Sequence, residues 1–210
     1  MAPSAKAGTL RGRQILVELL RPFGGEAEDW SDRLIRQYGS LGAVLAAAPA
    51  APDRLLADAP GARDHLATIR EAMLHALRSE ATAGPVLTDS SALLDYLTLD
   101  MGHLATEQLR VLFLNKRNEL LDDRVLAEGS VDMTPVYPRD IIRRALETGA
   151  TALILVHNHP SGDPTPSRGD VEATRRVAAA AQALDICVHD HVIIAREGWS
   201  SFRALGLLRG

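Results

Sequence analysis

Two histidines separated by one residue, His157 and His159, are the first candidates for chemistry in this 210-residue sequence. They follow the apolar run TALILV (residues 151–156), which predicts a buried central strand. Side chains at positions i and i+2 of a strand point to the same face, so both imidazoles leave the sheet together. Two imidazole nitrogens can then reach one zinc ion at about 2.0–2.1 Å.

A third candidate ligand, Asp170, follows in the first turn of the next predicted helix. The intervening segment PSGDPTP (residues 160–166) contains Gly162 and three prolines and predicts a stiff turn that returns the chain over the end of the strand. Two nitrogen ligands and one oxygen ligand would leave the fourth position of a zinc ion open for water. That arrangement is typical of a catalytic zinc site rather than a structural one.

The same residues also have purely structural interpretations. Ser167 and Asp170 have the spacing of a capping box, with serine at the N-cap and an acid at the third helical position. Asp163 has the position of a residue that stabilises a turn. A histidine on a strand is often a surface residue or a satisfied core residue, so short motifs carry a risk of false matches.

The pattern from His157 to Asp170, H-x-H-x7-S-x2-D, resembles the signature of JAMM metalloproteases of the MPN domain. The wider text over residues 136–195 resembles the bacterial RadC family, and the similarity covers residues 85–210. The resemblance implies an α/β fold, a mixed-sheet MPN (JAMM) domain sandwiched by helices. It also implies that His157, His159 and Asp170 bind zinc.

The JAMM motif includes a glutamate upstream, at the start of the domain's first strand. Glu107 opens the predicted strand EQLRVLFLN and matches that glutamate. Glu119 and Glu128 are the alternative carboxylates. A strand that pairs with residues 151–157 would bring Glu107 to the zinc site.

The function implied by the resemblance is zinc-dependent hydrolysis of an amide bond, peptide or isopeptide, in a peptide or protein substrate. The zinc ion would activate a water molecule, and Glu107 would act as general base and then general acid. Ser167 would donate a hydrogen bond to the developing oxyanion, or it would simply cap its helix. The alternative is an accessory or scaffold protein associated with DNA repair, in which the MPN domain is not catalytic.

A second His-x-His pair, His189 and His191, flanks Asp190 on the predicted strand ICVHDHVIIA. It is a candidate second metal site without an evident third ligand. The alternatives are that Asp190 or His191 orients a zinc ligand, and that His189 is a solvated or satisfied strand residue. The remaining histidines, His65, His75 and His103, are predicted surface residues, and Cys187 is a predicted core residue. The sequence indicates no functional role for these four residues.

The hydrophobic pattern divides the chain into an all-helical domain over residues 1–84 and the MPN domain over residues 85–210. The boundary is placed at the segment TAGPVLTD, where glycine and proline interrupt the helical pattern. Pro138 and Gly149 have the positions expected for the start and end of a helix.

Composition and net charge exclude little. The net charge of −4 predicts no general affinity for nucleic acid, and an aromatic content of 4% argues against a base-stacking surface. A single cysteine excludes an intrachain disulfide and the cysteine pair of a zinc deaminase. No signal peptide and no membrane-spanning run is predicted, so we expect a soluble cytoplasmic protein with no membrane partner.

The N-terminal region of RadC-like proteins resembles a helix-hairpin-helix, a module that grips the DNA backbone. The corresponding segment is ADAPGARDHLATI (residues 57–69), which keeps only Gly61 of the glycine pair. Asp58 and Asp64 oppose phosphate, whereas Arg63 and Arg70 favour it. We therefore expect a helical packing or interaction domain, with DNA as the alternative partner; the sequence leaves the oligomeric state open.

Overall fold

The computed structural model describes residues 5–50, 56–88, 90–129 and 137–208. The chain divides into two compact units, Met1–His75 and Ala76–Gly210. The predicted domain boundary at residues 84/85 stays a prediction.

The first unit is helical, as predicted. Its helices are α1 (Ala5–Leu20), α2 (Ala27–Tyr38), α3 (Leu41–Ala47) and the first part of α4 (Ala62–Ala81), with 3-10 turns at Arg21–Phe23 and Ala48–Ala50. Leu16, Leu20, Trp30, Leu34 and Leu66 form the centre of its core. The alanine-rich stretch is interrupted at Pro49 as expected, because α3 ends at Ala47; Pro52 lies outside the described residues.

The second unit contains a five-stranded sheet in the order β2-β1-β3-β4-β5. The strands are β1 (Gln108–Leu114), β2 (Leu120–Glu128), β3 (Ala152–His159), β4 (Cys187–Ala195) and β5 (Gly198–Ser201). Strand β1 pairs antiparallel with both β2 and β3, β3 pairs parallel with β4, and β4 pairs antiparallel with β5. The predicted turn at Gly129 and any strand after it reach residues 130–136, which are outside the described residues.

Helices cover both faces of this sheet. The helices are α5 (Ser91–Met101), α6 (Pro138–Thr148) and α7 (Arg168–Gln182). Leu109, Val111 and Leu155 share one sheet face and pack with Ile141 of α6 and Val177 of α7. Alternate residues of a strand point to opposite faces, so Arg110 points to the other face, where its guanidinium donates to the hydroxyl of Tyr96 in α5. The mixed sheet between helices confirms the predicted fold class.

The ends of α6 follow from local sequence. Pro138 occupies its first turn, where the missing N–H costs no hydrogen bond. Gly149 ends it in the left-handed conformation, at φ 69°, which glycine adopts without steric strain. The connection from α6 then leads directly into β3, the central strand.

Candidate metal centre

Four side chains converge at the end of β3 where His157 and His159 lie. The Nε2 atoms of His157 and His159 are 2.8 Å apart. The carboxylate of Asp170 lies 3.4 Å from each of these nitrogens, and Glu107 Oε1 lies 3.8 Å from His157 Nε2. One potential ligand atom from each residue falls within 4.8 Å of all the others, so the group could hold a metal ion.

Strand pairing explains why Glu107 reaches a site fifty residues further along the chain. Leu109 of β1 pairs with His157 of β3 in antiparallel register. Glu107 lies two residues before Leu109, so its side chain points to the face that also carries His157 and His159. Strand pairing begins one residue later than predicted, at Gln108.

Asn158, between the two histidines, holds the segment that carries Glu107. Its side-chain oxygen accepts from the main-chain N–H of Gln108 at 2.8 Å, and its Nδ2 donates to the carbonyl of Thr106 at 3.0 Å. The side chain is almost fully buried, with 1% of the residue exposed. Asn158 therefore ties the residues on both sides of Glu107 to β3, a role that sequence reasoning missed.

Ser167 and Asp170 form the predicted capping box at the start of α7. The main-chain N–H of Ser167 donates to Asp170 Oδ2 at 2.7 Å, and Ser167 Oγ accepts from the N–H of Asp170 at 3.1 Å. The same carboxylate faces both histidines, so the structural and the metal-site interpretations do not exclude each other. Burial acts to raise the pKa of Asp170, but the hydrogen bond with His159 and the proximity of His157 hold it well below its usual range.

His159 has a defined hydrogen-bond partner on the side away from the cluster. Its Nδ1 lies 2.8 Å from the main-chain carbonyl of Asp163. A carbonyl can only accept, so Nδ1 carries the hydrogen and, in the neutral ring, Nε2 presents a lone pair to the cluster. The neighbouring Asp170 carboxylate raises the pKa of His159, against the effect of burial.

The loop between β3 and α7 is stiffened as predicted. The carboxylate of Asp163 accepts from both the main-chain N–H and the hydroxyl of Thr165, at 2.9 and 2.7 Å. Ser200 on β5 donates its hydroxyl to the carbonyl of Pro164 at 2.7 Å. Gly162 has φ +98°, a conformation that favours glycine. The turn that brings Asp170 back to β3 is thus fastened within itself and to the neighbouring strand.

His157 is the most enclosed member of the cluster, with 4% of the residue exposed. Its Nδ1 lies 2.7 Å from Nε2 of His191 on β4. Burial lowers the pKa of His157 to about 4, so its ring is neutral at pH 7. A neutral imidazole is the form that binds a metal ion.

The comparison with known families agrees with this geometry. The family model of the RadC-like JAB domain matches residues 87–207. The chain belongs to the RadC family. It is also similar to a UPF0758 protein of Rhodobacter capsulatus, with 47% identity over 176 residues, which are 84% of this chain and 82% of that protein.

The second His-x-His pair of this RadC-family chain does not form a comparable group. Among the described residues, the one group of three or more potential ligands is the cluster around His157. His189 Nε2 lies 2.8 Å from Oδ1 of Asn118, so the prediction of a satisfied strand histidine is confirmed. Asp190 is fully buried and accepts from the N–H groups of His191 and Arg203.

The alternative carboxylates lie in other hydrogen-bond groups. Glu119 accepts from the side-chain amide of Asn115 at 2.7 Å, in the turn between β1 and β2. Glu128 accepts from the side chain of Gln108 at 3.0 Å. Neither belongs to the cluster, so Glu107 is the glutamate that the strand pairing brings to it.

Three predictions about single residues were wrong. Cys187 is exposed rather than part of the core, because it lies at the first position of β4. His65 is partly buried rather than a surface residue, because its ring packs against Phe23 with centroids 5.2 Å apart. His103 is partly buried, and this burial, together with the charge of Arg196, lowers its pKa. His75 is exposed, as predicted.

The segment compared with a DNA-binding hairpin has the backbone expected of a helix start. Gly61 has φ +83°, and α4 begins at the next residue, Ala62. Arg63 pairs with Asp64 at 3.4 Å, so a neighbouring carboxylate partly compensates its positive charge. DNA binding by this segment stays a prediction. No helix among the described residues is both long enough and apolar enough to cross a membrane.

Proposed function

We propose that this RadC-family protein is a zinc-dependent hydrolase of the JAMM type that cleaves an amide bond, peptide or isopeptide. The observation that carries the proposal is the convergence of His157, His159, Asp170 and Glu107 within 4.8 Å at one end of the sheet. In this proposal the two histidines and the aspartate hold the metal ion. Glu107 is the general base and acid.

The donor set suits a divalent zinc ion. The Nε2 atoms of His157 and His159 lie 2.8 Å apart, and each is 3.4 Å from the carboxylate of Asp170. Ligands about 2.0–2.1 Å from a tetrahedral zinc ion are separated by about 3.3 Å, so small shifts would place all three around one ion. Two nitrogen lone pairs 2.8 Å apart repel each other unless a cation lies between them. A bound metal ion would be that cation.

When bound, the zinc ion lowers the pKa of a coordinated water and polarises a carbonyl group. Glu107 would take a proton from that water. Its carboxylate lies 3.8 Å from His157 Nε2 and its side chain is only 13% exposed, which supports this role. It can later return that proton to the leaving amine. Ser167 uses its oxygen as an acceptor in the capping box, which leaves its hydroxyl hydrogen to bind the carbonyl oxygen of a substrate.

The test separates metal binding from hydrolysis. Elemental analysis of the purified full-length protein should find one zinc ion per chain. The probes for activity are a fluorescence-quenched peptide library and a matching set joined through lysine ε-amides. Glu107→Gln should retain zinc and lose hydrolysis by at least about 100-fold, the lower range for a general base.

Glu128→Gln is the matched control, because Glu128 is the last residue of β2 and its carboxylate lies outside the cluster. This variant should cleave the probes at the wild-type rate. Equal rates for Glu107→Gln and the wild type would contradict the assigned base. A zinc-loaded protein that cleaves neither set of probes would contradict the hydrolase and favour a scaffold.

A further inference from the structure

Two buried polar residues, His191 and Thr174, lie behind His157 on the side away from the cluster. His191 is on β4 and Thr174 on α7, and their residues are 3% and 2% exposed. His191 Nε2 is 2.7 Å from His157 Nδ1, and His191 Nδ1 is 2.6 Å from Thr174 Oγ1. Thr174 Oγ1 is also 2.6 Å from the main-chain carbonyl of Asp170. The four groups form one continuous chain of hydrogen bonds.

The direction of every hydrogen bond in this chain follows from the carbonyl of Asp170, where the chain starts. The carbonyl of Asp170 can only accept, so the single hydroxyl hydrogen of Thr174 is donated to it. Thr174 Oγ1 must therefore accept from His191, which places the hydrogen of His191 on Nδ1. Since a neutral imidazole has one N–H, His191 Nε2 is an acceptor, and His157 donates to it from Nδ1.

The tautomer of His157 is decided by this sequence of donors and acceptors. With its hydrogen on Nδ1, its Nε2 presents a lone pair to Asp170 and His159. Both rings are almost fully buried, with 4% of His157 and 3% of His191 exposed, and burial disfavours a charged imidazole. In His159 the carbonyl of Asp163 fixes a hydrogen on Nδ1 directly.

We propose that Thr174 and His191 are positioning residues that fix His157 in its Nδ1–H tautomer, so that Nε2 is ready to bind the metal ion. This inference rests on the proposed metal site but not on any particular hydrolytic activity. The chain starts at the main chain of Asp170 and ends at His157, so it also couples the helix that carries one proposed ligand to the strand that carries another. Mutation of such supporting residues typically lowers metal affinity by 10–100-fold.

The direct test is the tautomer itself. Long-range 1H–15N correlation spectra of the metal-free full-length protein distinguish a hydrogen on Nδ1 from one on Nε2. Both His157 and His191 should show the Nδ1–H form. Nε2–H at His157 would overturn the proposal, whatever the protein hydrolyses.

The second test removes the hydroxyl while keeping the shape of the side chain. In Thr174→Val, Nδ1 of His191 has no acceptor, so its hydrogen should move to Nε2 and reverse the tautomer of His157. Zinc affinity, measured by competition with a chromogenic chelator, should fall 10–100-fold. Thr174→Ser keeps the hydroxyl and should bind zinc within about threefold of the wild type.

Thr148→Val is the matched control for loss of a helical threonine hydroxyl. Thr148 donates to the carbonyl of Arg144 at 2.9 Å, four residues earlier, as Thr174 does to Asp170. Its second contact is with the carbonyl of Ala145 at 3.1 Å, so both partners are main-chain carbonyls and not an imidazole. This variant should keep both the zinc affinity and the tautomers. Equal zinc affinity in Thr174→Val and Thr148→Val, with unchanged tautomers, would overturn the proposal. If Thr174→Val loses zinc affinity and the wild-type protein hydrolyses none of the probes, only the proposed hydrolase activity is contradicted.

Discussion

The two His-x-His pairs of this protein have the same spacing and opposite outcomes. On β3 both imidazoles point to one cluster of potential metal ligands. On β4 the two imidazoles have different neighbours, since His189 contacts Asn118 and His191 contacts His157. The β3–β4 register is regular from Ile154 to His159, but it shifts between Leu153 and Ile154, which pair with Val188 and Asp190. Residue 189 therefore has no partner in β3, and the alternation of faces is lost at that point.

The second pair shows how a β-bulge changes the directions of two side chains that are two residues apart. His189 lines a cavity of about 600 Å³ together with Asp190 and Ser201, while His191 points to the opposite side, against His157 and Thr174. A bulge places one extra residue in a strand, so residues i and i+2 no longer share a face. Spacing in the sequence predicts a shared ligand site only where the strand is regular.

The largest expected difference between the pairs is in metal binding. His159→Ala should weaken zinc binding by more than about 100-fold, because losing one of the three proposed protein ligands should exceed the usual effect of losing a supporting partner. His189→Ala should leave it within about twofold. Chelator competition on the purified variants measures both. Wild-type affinity in His159→Ala would remove the proposed distinction between the pairs.

The residue between the histidines of the second pair should matter most for stability. Asp190 is fully buried and accepts from two main-chain N–H groups and from the hydroxyl of Ser201. Asp190→Ala leaves these donors without their acceptor and should lower the free energy of unfolding by about 3 to 4 kcal/mol. Chemical denaturation measures this, with the exposed Glu172→Gln on α7 as the control. Equal stability of the two variants would contradict the role assigned to Asp190.

Acid should destabilise the metal-free protein through the first pair. The pKa of His157 is about 4 in the folded protein and about 6.5 in an unfolded chain. As the pH falls from 6.5 to 4, the unfolded chain takes up a proton that folded His157 does not. Its contribution to the free energy of unfolding is therefore fully present above pH 6.5 and falls by up to about 3 kcal/mol towards pH 4.

Denaturation curves recorded across this pH range measure the effect. The raised pKa of His159 opposes it, since that residue binds its proton more tightly in the folded protein. His157→Gln should flatten the dependence between pH 6.5 and 4. An unchanged slope in this variant would show that His157 does not supply the effect.

The residue between the histidines of the first pair should affect both stability and activity. Asn158→Ala leaves the N–H of Gln108 and the carbonyl of Thr106 without their partner. The substitution should lower the free energy of unfolding by about 1 to 3 kcal/mol. Because Glu107 lies between those two residues, hydrolysis should fall more than zinc affinity. Peptide cleavage and chelator competition on the same sample test this, and a proportional loss of both would argue against a specific effect on Glu107.

The smallest effect is expected next to the second pair. Cys187 is exposed, and its sulfur lies 3.5 Å from Nδ1 of His189. Cys187→Ser should change the free energy of unfolding by no more than about 0.5 kcal/mol, as is usual for surface substitutions. It should leave zinc affinity unchanged. A large loss of zinc would assign this region a part in the metal site.

Local patterns were sufficient for much of the fold and for three members of the cluster. The capping box of Ser167 and Asp170, the stop at Gly149 and the apolar strand before His157 each depend on residues close together in the chain. The proposed ligands also lie within fourteen residues, so their types and spacing were enough to predict that they meet. Glu107 was found through the family motif, with Glu119 and Glu128 as alternatives that the sequence alone did not remove.

By itself, then, the sequence determined the helices, the strands and the set of residues that can bind a metal ion, since these depend on short-range geometry and side-chain chemistry. Only the tertiary structure decided that Glu107 lies beside His157, that Asn158 secures it, and that His191 and Thr174 orient the ring from behind. It also decided that His189 is separated from His191. The physical reason is register: which residues of distant strands face each other, and where a bulge shifts them, depends on pairing along the whole sheet.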